Sequence, residues 1–508
     1  MTGTWGCVIT LIVYDMCRNV LFLSVFLIGL FFISSCTNRT TTISGTIDKQ
    51  TKLLYSNPDL AVCYDGFWDT LVPDDQGRFE LRLDLKEGRF IFIRTSGSRY
   101  KYLLPVQPGE KYEISIDENN GLLVYGPNEA GIELYQSVWN EGLRPMAMDW
   151  GAFFENDTFS RDEMIEKVKQ EELTGFKKLL DNKKITRSFY KLIVGDRDCF
   201  YAFVSVFLST WDMLKIYRNQ ETDITEDDII NRYKIVFDRY KPDDEDLMKS
   251  SSWDNYVLLQ YIKFYKQFSM KRINENNVEL LYSEQHFPFW FEQIKQSFSD
   301  KILESALALL LYTDGELDTK TSISLYQYLE KKFPVSPYLK YFRDQMNRMM
   351  AFYAGEGLDS SIRFIENGDS INHFSELISQ LKGEKLYVDI WRSTCGPCRR
   401  EFQYKDSLGM VLKQYDVIPL YISLDDDSQD EKWKVLVYAN DLKGVHFRAN
   451  RSFINDLSIL VQDEQTWNGS ERRSFSIPWY MLIDENGNIV EKQAKRPSEI
   501  VVTKRLFD

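Results

Sequence analysis

Between residues 41 and 125 apolar and polar positions alternate in short runs: ISGTI (43–47), LAVCY (60–64), DTLV (69–72), RFELRL (78–83), RFIFIR (89–94) and KYEISI (111–116). A period of two places every second side chain on one face of a strand. Turn residues separate the runs at short intervals, with Asp74-Asp75-Gln76-Gly77, Glu87-Gly88 and Gln107-Pro108-Gly109. Strands so spaced predict a β-sandwich over residues 37–127. From residue 128 to 355 the period becomes helical. Thr186 can cap a helix over 187–194, Thr225 and Asp228 frame a capping box before 229–237, and 305–311 is apolar on nearly every face, as a buried helix would be. Pro288, Pro334 and Pro337 mark breaks, and residues 243–246 read as an acidic loop. A central all-α domain is the expectation. Past a link containing Gly355 and Gly357, the pattern of residues 356–508 changes again. Strand-like runs at 386–391 and 417–423 flank a helical stretch at 395–414, and a second helical run follows at 430–441. Runs at 480–483 and 489–492 straddle Asn486-Gly487, a type I′ hairpin signal. Parallel strands with helical crossovers, closed by a hairpin, predict an α/β domain.

Residues 1–35 read as an address rather than as structure. The apolar run 20–33 is shorter than the roughly 18 residues a membrane span needs, and it ends at Ser34-Ser35-Cys36, which resembles a lipobox. Cleavage before Cys36 and lipidation of that residue are expected. Residues 1–15 place a second apolar patch and no basic residue ahead of this signal, which points to Met16 as the true start; an uncleaved anchor beginning at Met1 is the alternative.

A chain of 508 residues has room for about three domains. Its 62 Lys and Arg against 76 Asp and Glu give a net charge of −14 without a basic block, which argues against a nucleic-acid partner. Of the seven cysteines, Cys7 and Cys17 would leave with the signal and Cys36 would be lipidated. Cys63, Cys199, Cys395 and Cys398 remain as thiols. Cys63 and Cys199 sit in apolar, aromatic company in different predicted domains and read as buried free cysteines rather than as a bridge. The three histidines, His286, His373 and His446, are scattered, and no second Cys-x-x-Cys exists, so no metal site is expected.

The chemistry concentrates in LYVDIWRSTCGPCRREF, residues 386–402. A Cys-x-x-Cys at a strand-to-helix junction places the first sulfur at a helix N-terminus, where unpaired N–H groups and the helix dipole favour thiolate. Cys395 is therefore the expected nucleophile. Cys398, one turn on, can attack a mixed disulfide made by Cys395, and Pro397 falls in the first turn, where its missing N–H costs nothing.

With Asp389 six positions and Trp391 four positions before Cys395, the segment VDIWxxxCGPC resembles the active site of thioredoxins. The C-terminal part as a whole resembles the TlpA/ResA-like branch that works outside the cytoplasm. The resemblance implies a thioredoxin-like fold in which Asp389 is a buried carboxylate beneath the cysteines that helps move the proton of the resolving thiol, and burial would raise its pKa toward the thiol range. It further implies that Ile477-Pro478 is a cis-proline lining the substrate groove together with Trp391, Gly396 and Pro397, and that the residues from Phe364 to Leu381 form a lead-in hairpin and helix. The N-terminal β pattern is similar to the domain that precedes the thioredoxin part in many bacterial envelope lipoproteins. Three positions depart from the pattern: Thr394 where many members have Trp, Phe402-Gln403 where a helix-kinking Pro is common, and Trp479 where a small residue usually follows the cis-proline.

The expected activity is extracytoplasmic thiol:disulfide exchange, in the direction of reducing protein disulfides. No cofactor is called for beyond the Cys395–Cys398 disulfide. The expected partners are disulfide-containing envelope proteins, a membrane thiol protein that supplies electrons, and the membrane itself through the lipid on Cys36, with the protein facing the periplasm or the cell surface. Arg392, Arg399 and Arg400 lie close by in sequence, and any that points at Cys395 would lower its pKa and raise the potential. The helical region carries no chemical motif and reads as a spacer, docking or dimerisation module, the last implying a homodimer. Two other readings stay open on the same residues: a binding lipoprotein whose thioredoxin domain only docks, and a disulfide oxidase or isomerase.

Overall fold

The computed structural model describes residues 40 to 506, apart from 62–66, 97, 99, 117–120, 140–157, 221–222, 316–317, 357–358, 462–475 and 504–505. The expected signal segment, Cys36 and Cys63 lie outside the described residues. In the N-terminal part, β1 (Thr40–Thr46), β4 (Arg78–Asp84), β7 (Lys111–Ile116) and β8 (Leu122–Tyr125) form one four-stranded sheet in the order β4-β1-β7-β8. The strands β2 (Leu53–Ser56), β3 (Trp68–Leu71), β5 (Arg89–Thr95) and β6 (Tyr102–Val106) form another, ordered β3-β2-β5-β6. Strand β4 alternates buried and exposed as its period predicts. Strand β6 is buried along its whole length, and so are residues Arg89 to Ile93 of β5. Helices account for this second covered face: Tyr135 packs on Phe90 with ring centroids 5.2 Å apart, and Gln136 Nε2 donates to the Leu103 carbonyl at 2.7 Å.

Most of the expected strand at 60–64 lies outside the described residues. Leu60 and Ala61 are buried among the aromatic side chains of the helical region, where the Ala61 N–H donates to the Tyr338 hydroxyl at 2.8 Å. The apolar character of these two residues serves helix packing. Strands β2, β6 and β8 were not anticipated.

The helical region comprises α1 (Glu129–Trp139), α2 (Thr158–Asp181), α3 (Arg187–Tyr217), α4 (Glu226–Arg239), the π-helical Asn255–Tyr265, α5 (Phe287–Ser297), α6 (Asp300–Asp314), α7 (Thr319–Lys332) and α8 (Leu339–Ala354). Thr186 caps α3 by accepting from the Phe189 N–H, and Thr225 and Asp228 make the reciprocal capping box of α4. Helix α3 is long and apolar enough to cross a membrane, yet 78% of its apolar window is buried inside the fold, as befits a core helix. It carries the free thiol of Cys199, fully buried and pushed up by desolvation. Pro288 lies in the first turn of α5, so it opens that helix rather than interrupting one.

The C-terminal part is a six-stranded sheet, β14-β13-β10-β11-β12-β9, built from β9 (Ile362–Phe364), β10 (Lys385–Trp391), β11 (Val417–Ser423), β12 (Gly444–Arg448), β13 (Trp479–Ile483) and β14 (Ile489–Glu491). β10, β11, β12 and β9 run parallel, while β13 and β14 are antiparallel additions beside β10. Helices α9 (Phe374–Gln380), α10 (Gly396–Glu401), α11 (Lys405–Gln414), α12 (Asp430–Ala439), α13 (Arg451–Val461) and α14 (Pro497–Thr503) complete it. Two local expectations change. The lead-in to α9 is a single strand, β9, paired parallel with β12 at the sheet edge, not a hairpin. The β13–β14 turn is not type I′, because Gly487 has φ 87 but Asn486 is not at positive φ. Asp484 Oδ1 accepts from the N–H groups of Asn486 and Asn488 at 2.9 and 2.8 Å and holds the other turn geometry.

The helical part is docked onto the C-terminal sheet through α12. Tyr438 meets Phe352 with centroids 5.6 Å apart, Arg348 Nε donates to the Ala439 carbonyl at 3.0 Å, and Glu431 pairs with Lys320 at 2.7 Å. Lys432 pairs with Glu284 beside them.

Candidate active site

Strand β10 sends its alternate side chains to opposite faces of the sheet. Val388 and Ile390 enter one apolar cluster, while Cys398, Trp391 and Phe402 belong to another on the side of the active-site helix. Trp391 is fully buried and stands edge-on to Phe402 at 5.0 Å. The chain leaves β10 through a loop pinned by the buried carboxylate of Asp425, which accepts from Ser393 N–H at 2.9 Å, Ser393 Oγ at 2.8 Å and Ser423 Oγ at 2.7 Å. Cys395 then caps α10: its Sγ accepts from the Cys398 N–H at 3.2 Å, and Pro397 occupies the first turn.

Cys395 and Cys398 are joined as a disulfide with Cα atoms 5.3 Å apart. Cys395 is half-buried and Cys398 fully buried, so a partner entering from solvent meets Cys395. Facing it, the Ile477–Pro478 peptide bond is cis, and the Ile477 carbonyl oxygen lies 3.9 Å from Cys395 Sγ. Trp479, which follows, is half-buried, and its Nε1 donates to the Lys492 carbonyl at 2.8 Å.

Asp389 is 3% exposed, and its Oδ1 has no hydrogen-bond partner among the described residues. In the sheet it is flanked by Tyr421 on β11 and Tyr480 on β13. Loss of solvation lifts its carboxyl far above the usual range, and the charge of Glu401 on α10 adds to the rise. Tyr387, Tyr421 and Tyr480 are pushed up in turn, by burial first and by Asp389 next. Tyr421 stacks on His446 at 4.9 Å, and burial pulls the imidazole down to about 4, so this ring is neutral.

The structure thus brings together Asp389, Trp391, Cys395, Gly396, Pro397, Cys398, Ile477 and Pro478 around one strand-to-helix junction. One of the three neighbouring arginines is engaged elsewhere. Arg392 turns away, with Nε and Nη2 donating to the Leu424 carbonyl at 2.9 and 2.6 Å. Two contributors escaped the sequence reading: Asp425, which fixes the loop before the cysteines, and Glu401, which accepts from Ser498 N–H at 2.9 Å and Oγ at 3.1 Å. Position three residues after Cys398 was the one available signal for Glu401; Asp425 gave none, because the loop residue it holds, Ser393, lies 32 residues away.

Residues 375–504 match the Redoxin family model. This part of the chain is a redoxin domain. Among solved structures, the chain resembles the thioredoxin domain of a thiol-disulfide oxidoreductase from Bacteroides vulgatus, at 20% identity over 25% of this chain and 84% of that one, TM-score 0.20. It also resembles a thiol:disulfide interchange protein from Bacteroides sp., at 19% identity over 26% of this chain and 74% of that one, TM-score 0.20. A thioredoxin-like protein from Bacteroides caccae matches at 15% identity over 44% of this chain and 82% of that one, TM-score 0.18. No curated protein matches the chain.

Proposed function

We propose that the chain is an extracytoplasmic thiol:disulfide oxidoreductase that reduces protein disulfides, with Cys395 as nucleophile, Cys398 as resolving thiol and Asp389 as proton acceptor. The observation that carries this reading is the Cys395–Cys398 disulfide at the start of α10, with its half-buried sulfur facing the Ile477 carbonyl and a buried carboxyl whose Oδ1 has no partner among the described residues in the strand before it. In the reduced state the Cys395 thiolate attacks one sulfur of a substrate disulfide, forming a mixed disulfide and expelling the other sulfur as thiolate. Cys398 then gives its proton to the Asp389 carboxylate, and its thiolate attacks the Cys395 sulfur. The Cys395–Cys398 bond forms, the mixed bond breaks, and the second substrate sulfur leaves as thiolate. Two electrons have passed to the substrate, and the departing thiolates take up protons from water. A raised Asp389 pKa supports the transfer, because burial moves the carboxyl toward the thiol range.

On this reading a membrane thiol protein returns two electrons to the disulfide after each turnover. The lipobox-like Ser34-Ser35-Cys36 supports a lipid anchor at Cys36 and a place in the bacterial envelope. A Gly-Pro pair between the cysteines favours the reducing direction, whose reference couple lies near about −270 mV. The test pairs two variants in an insulin-reduction assay. Cys395→Ser should abolish turnover, and Cys398→Ser should accumulate a mixed disulfide visible on non-reducing gels. Full turnover in Cys395→Ser would overturn the assignment.

A further inference from the structure

Gly396 and Arg400 are spaced i, i+4 and so share one face of α10, and Gln403 lies in the 3-10 turn Phe402–Tyr404 that follows it. All three reach the surface to some degree, with Arg400 and Gln403 exposed. A Cβ added at Gly396 would come 3.7 Å from Arg400 Nη1, which places this guanidinium against the CGPC turn. Gln403 Nε2 donates to the Arg400 carbonyl at 2.8 Å, and Gln403 Oε1 accepts from Arg94 Nη2 at 3.4 Å. Arg94 belongs to β5 of the N-terminal part, where its guanidinium lies over the Trp68 ring at 4.7 Å. A surface stripe therefore runs from the sulfurs, along α10, onto a residue more than 300 positions earlier in the chain. The carboxylates near it are engaged elsewhere: Glu401 on Ser498, and Asp426 on Ser428 with Arg392 beside it. The stripe is cationic on a chain of net charge −14.

From this we infer that the N-terminal β-rich part completes the substrate-docking face of the redoxin domain, and that the face takes protein segments whose cystine is followed by acidic residues. The inference rests on the reading of Cys395 and Cys398 as an exchanging dithiol. Its geometry fixes a register. Four helical residues from Gly396 to Arg400 span about 6 Å, and the 3-10 turn carries the path roughly 5 Å further to Gln403. An extended substrate advances about 3.3 Å per residue, so carboxylates roughly two and four positions from the cystine meet Arg400 and Arg94. Opposite charge along such a path speeds encounter and fixes orientation more than it deepens affinity.

The test uses the pre-reduced full-length chain, mixed rapidly with synthetic disulfide peptides carrying either Asp or Lys at positions two and four from the cystine. Exchange is followed by acid quenching and mass analysis. At low salt the Asp peptide should react roughly tenfold faster than the Lys peptide, and the ratio should approach one at high salt as screening sets in. Arg94→Glu and Arg400→Glu should each invert the preference, and Arg94→Gln and Arg400→Gln should weaken it. Equal rates for the two peptides would overturn the substrate class. A preference untouched by Arg94→Glu would overturn the part given to the β-rich region. Exchange with neither peptide would bring down the dithiol reading and this inference with it, an outcome distinct from exchange without preference.

Discussion

A buried carboxyl without a partner costs the fold something, and Asp389 shows how much of that cost depends on pH. Its unfolded pKa is near 3.9, while in the fold desolvation and Glu401 raise it well above that value. Below the unfolded pKa the carboxyl is neutral in both states, and its contribution to stability is intact. As pH rises through the folded pKa, the folded state must either keep its proton against the solvent or bury a charge, and stability is lost. Asp389→Asn should therefore leave the unfolding free energy of the oxidised protein in urea unchanged near pH 4 and raise it in neutral and alkaline solution, by about 1–3 kcal/mol. The same variant should slow disulfide reduction at neutral pH by roughly 10–100-fold, because the proton acceptor is gone. A wild-type pH profile in the variant would sink the role. The residues that were legible beforehand are those bound by short spacing: Asp389, Trp391, Cys395 and Cys398 fall within ten positions of one another, and strand-to-helix geometry alone puts them together. Glu401 and Asp425 were not legible, because what matters about them is a contact made across the fold, with Ser498 and with Ser393.

Among the elements, capping chemistry was the most readable feature, since Thr186 and Thr225 act on N–H groups three residues away and need no tertiary information. Leu60 and Ala61 are the opposite case. What they pack against is decided by α8, whose N-terminal neighbour Tyr338 both accepts from the Ala61 N–H at 2.8 Å and donates to Ser305 Oγ at 3.0 Å. Phe67 lies in the same nest, with its ring 5.0 Å from that of Tyr338. Tyr338→Phe keeps the ring packing and removes both hydrogen bonds, leaving a buried backbone donor unsatisfied. The expected loss is about 1–3 kcal/mol in chemical denaturation, with no change in the redox potential of Cys395 and Cys398. A neutral result would mean that the 60–61 segment follows the helices without bracing them.

At the scale of the whole molecule, the redoxin domain is not a bead on a string. The side chains of α12 join the large apolar cluster of the helical part, with Trp433, Leu436 and Val437 almost wholly buried, and the aromatic contacts run on from Phe364 through Tyr438 to Phe352 on α8. A domain border read from composition at residue 356 therefore cuts the chain but not the core. Sequence alone could not have revealed this, because an apolar stripe on α12 looks the same whether it faces its own sheet or a neighbour. Truncation makes the difference measurable. A fragment of residues 359–508 keeps the sheet and both cysteines but exposes the Tyr438 face of α12, so it should melt at lower temperature than the redoxin part of the full chain and bind a hydrophobic dye. Tyr438→Ser in the fragment should reduce the dye binding, while in the full chain it should weaken the docking of α8 and separate a single melting transition into two. If the fragment proved as stable as the full chain and bound no dye, the shared core would be a contact of convenience, and the redoxin domain would be free to swing. The docking face that includes Arg94 would then have no fixed geometry, since its two halves are held together by this packing.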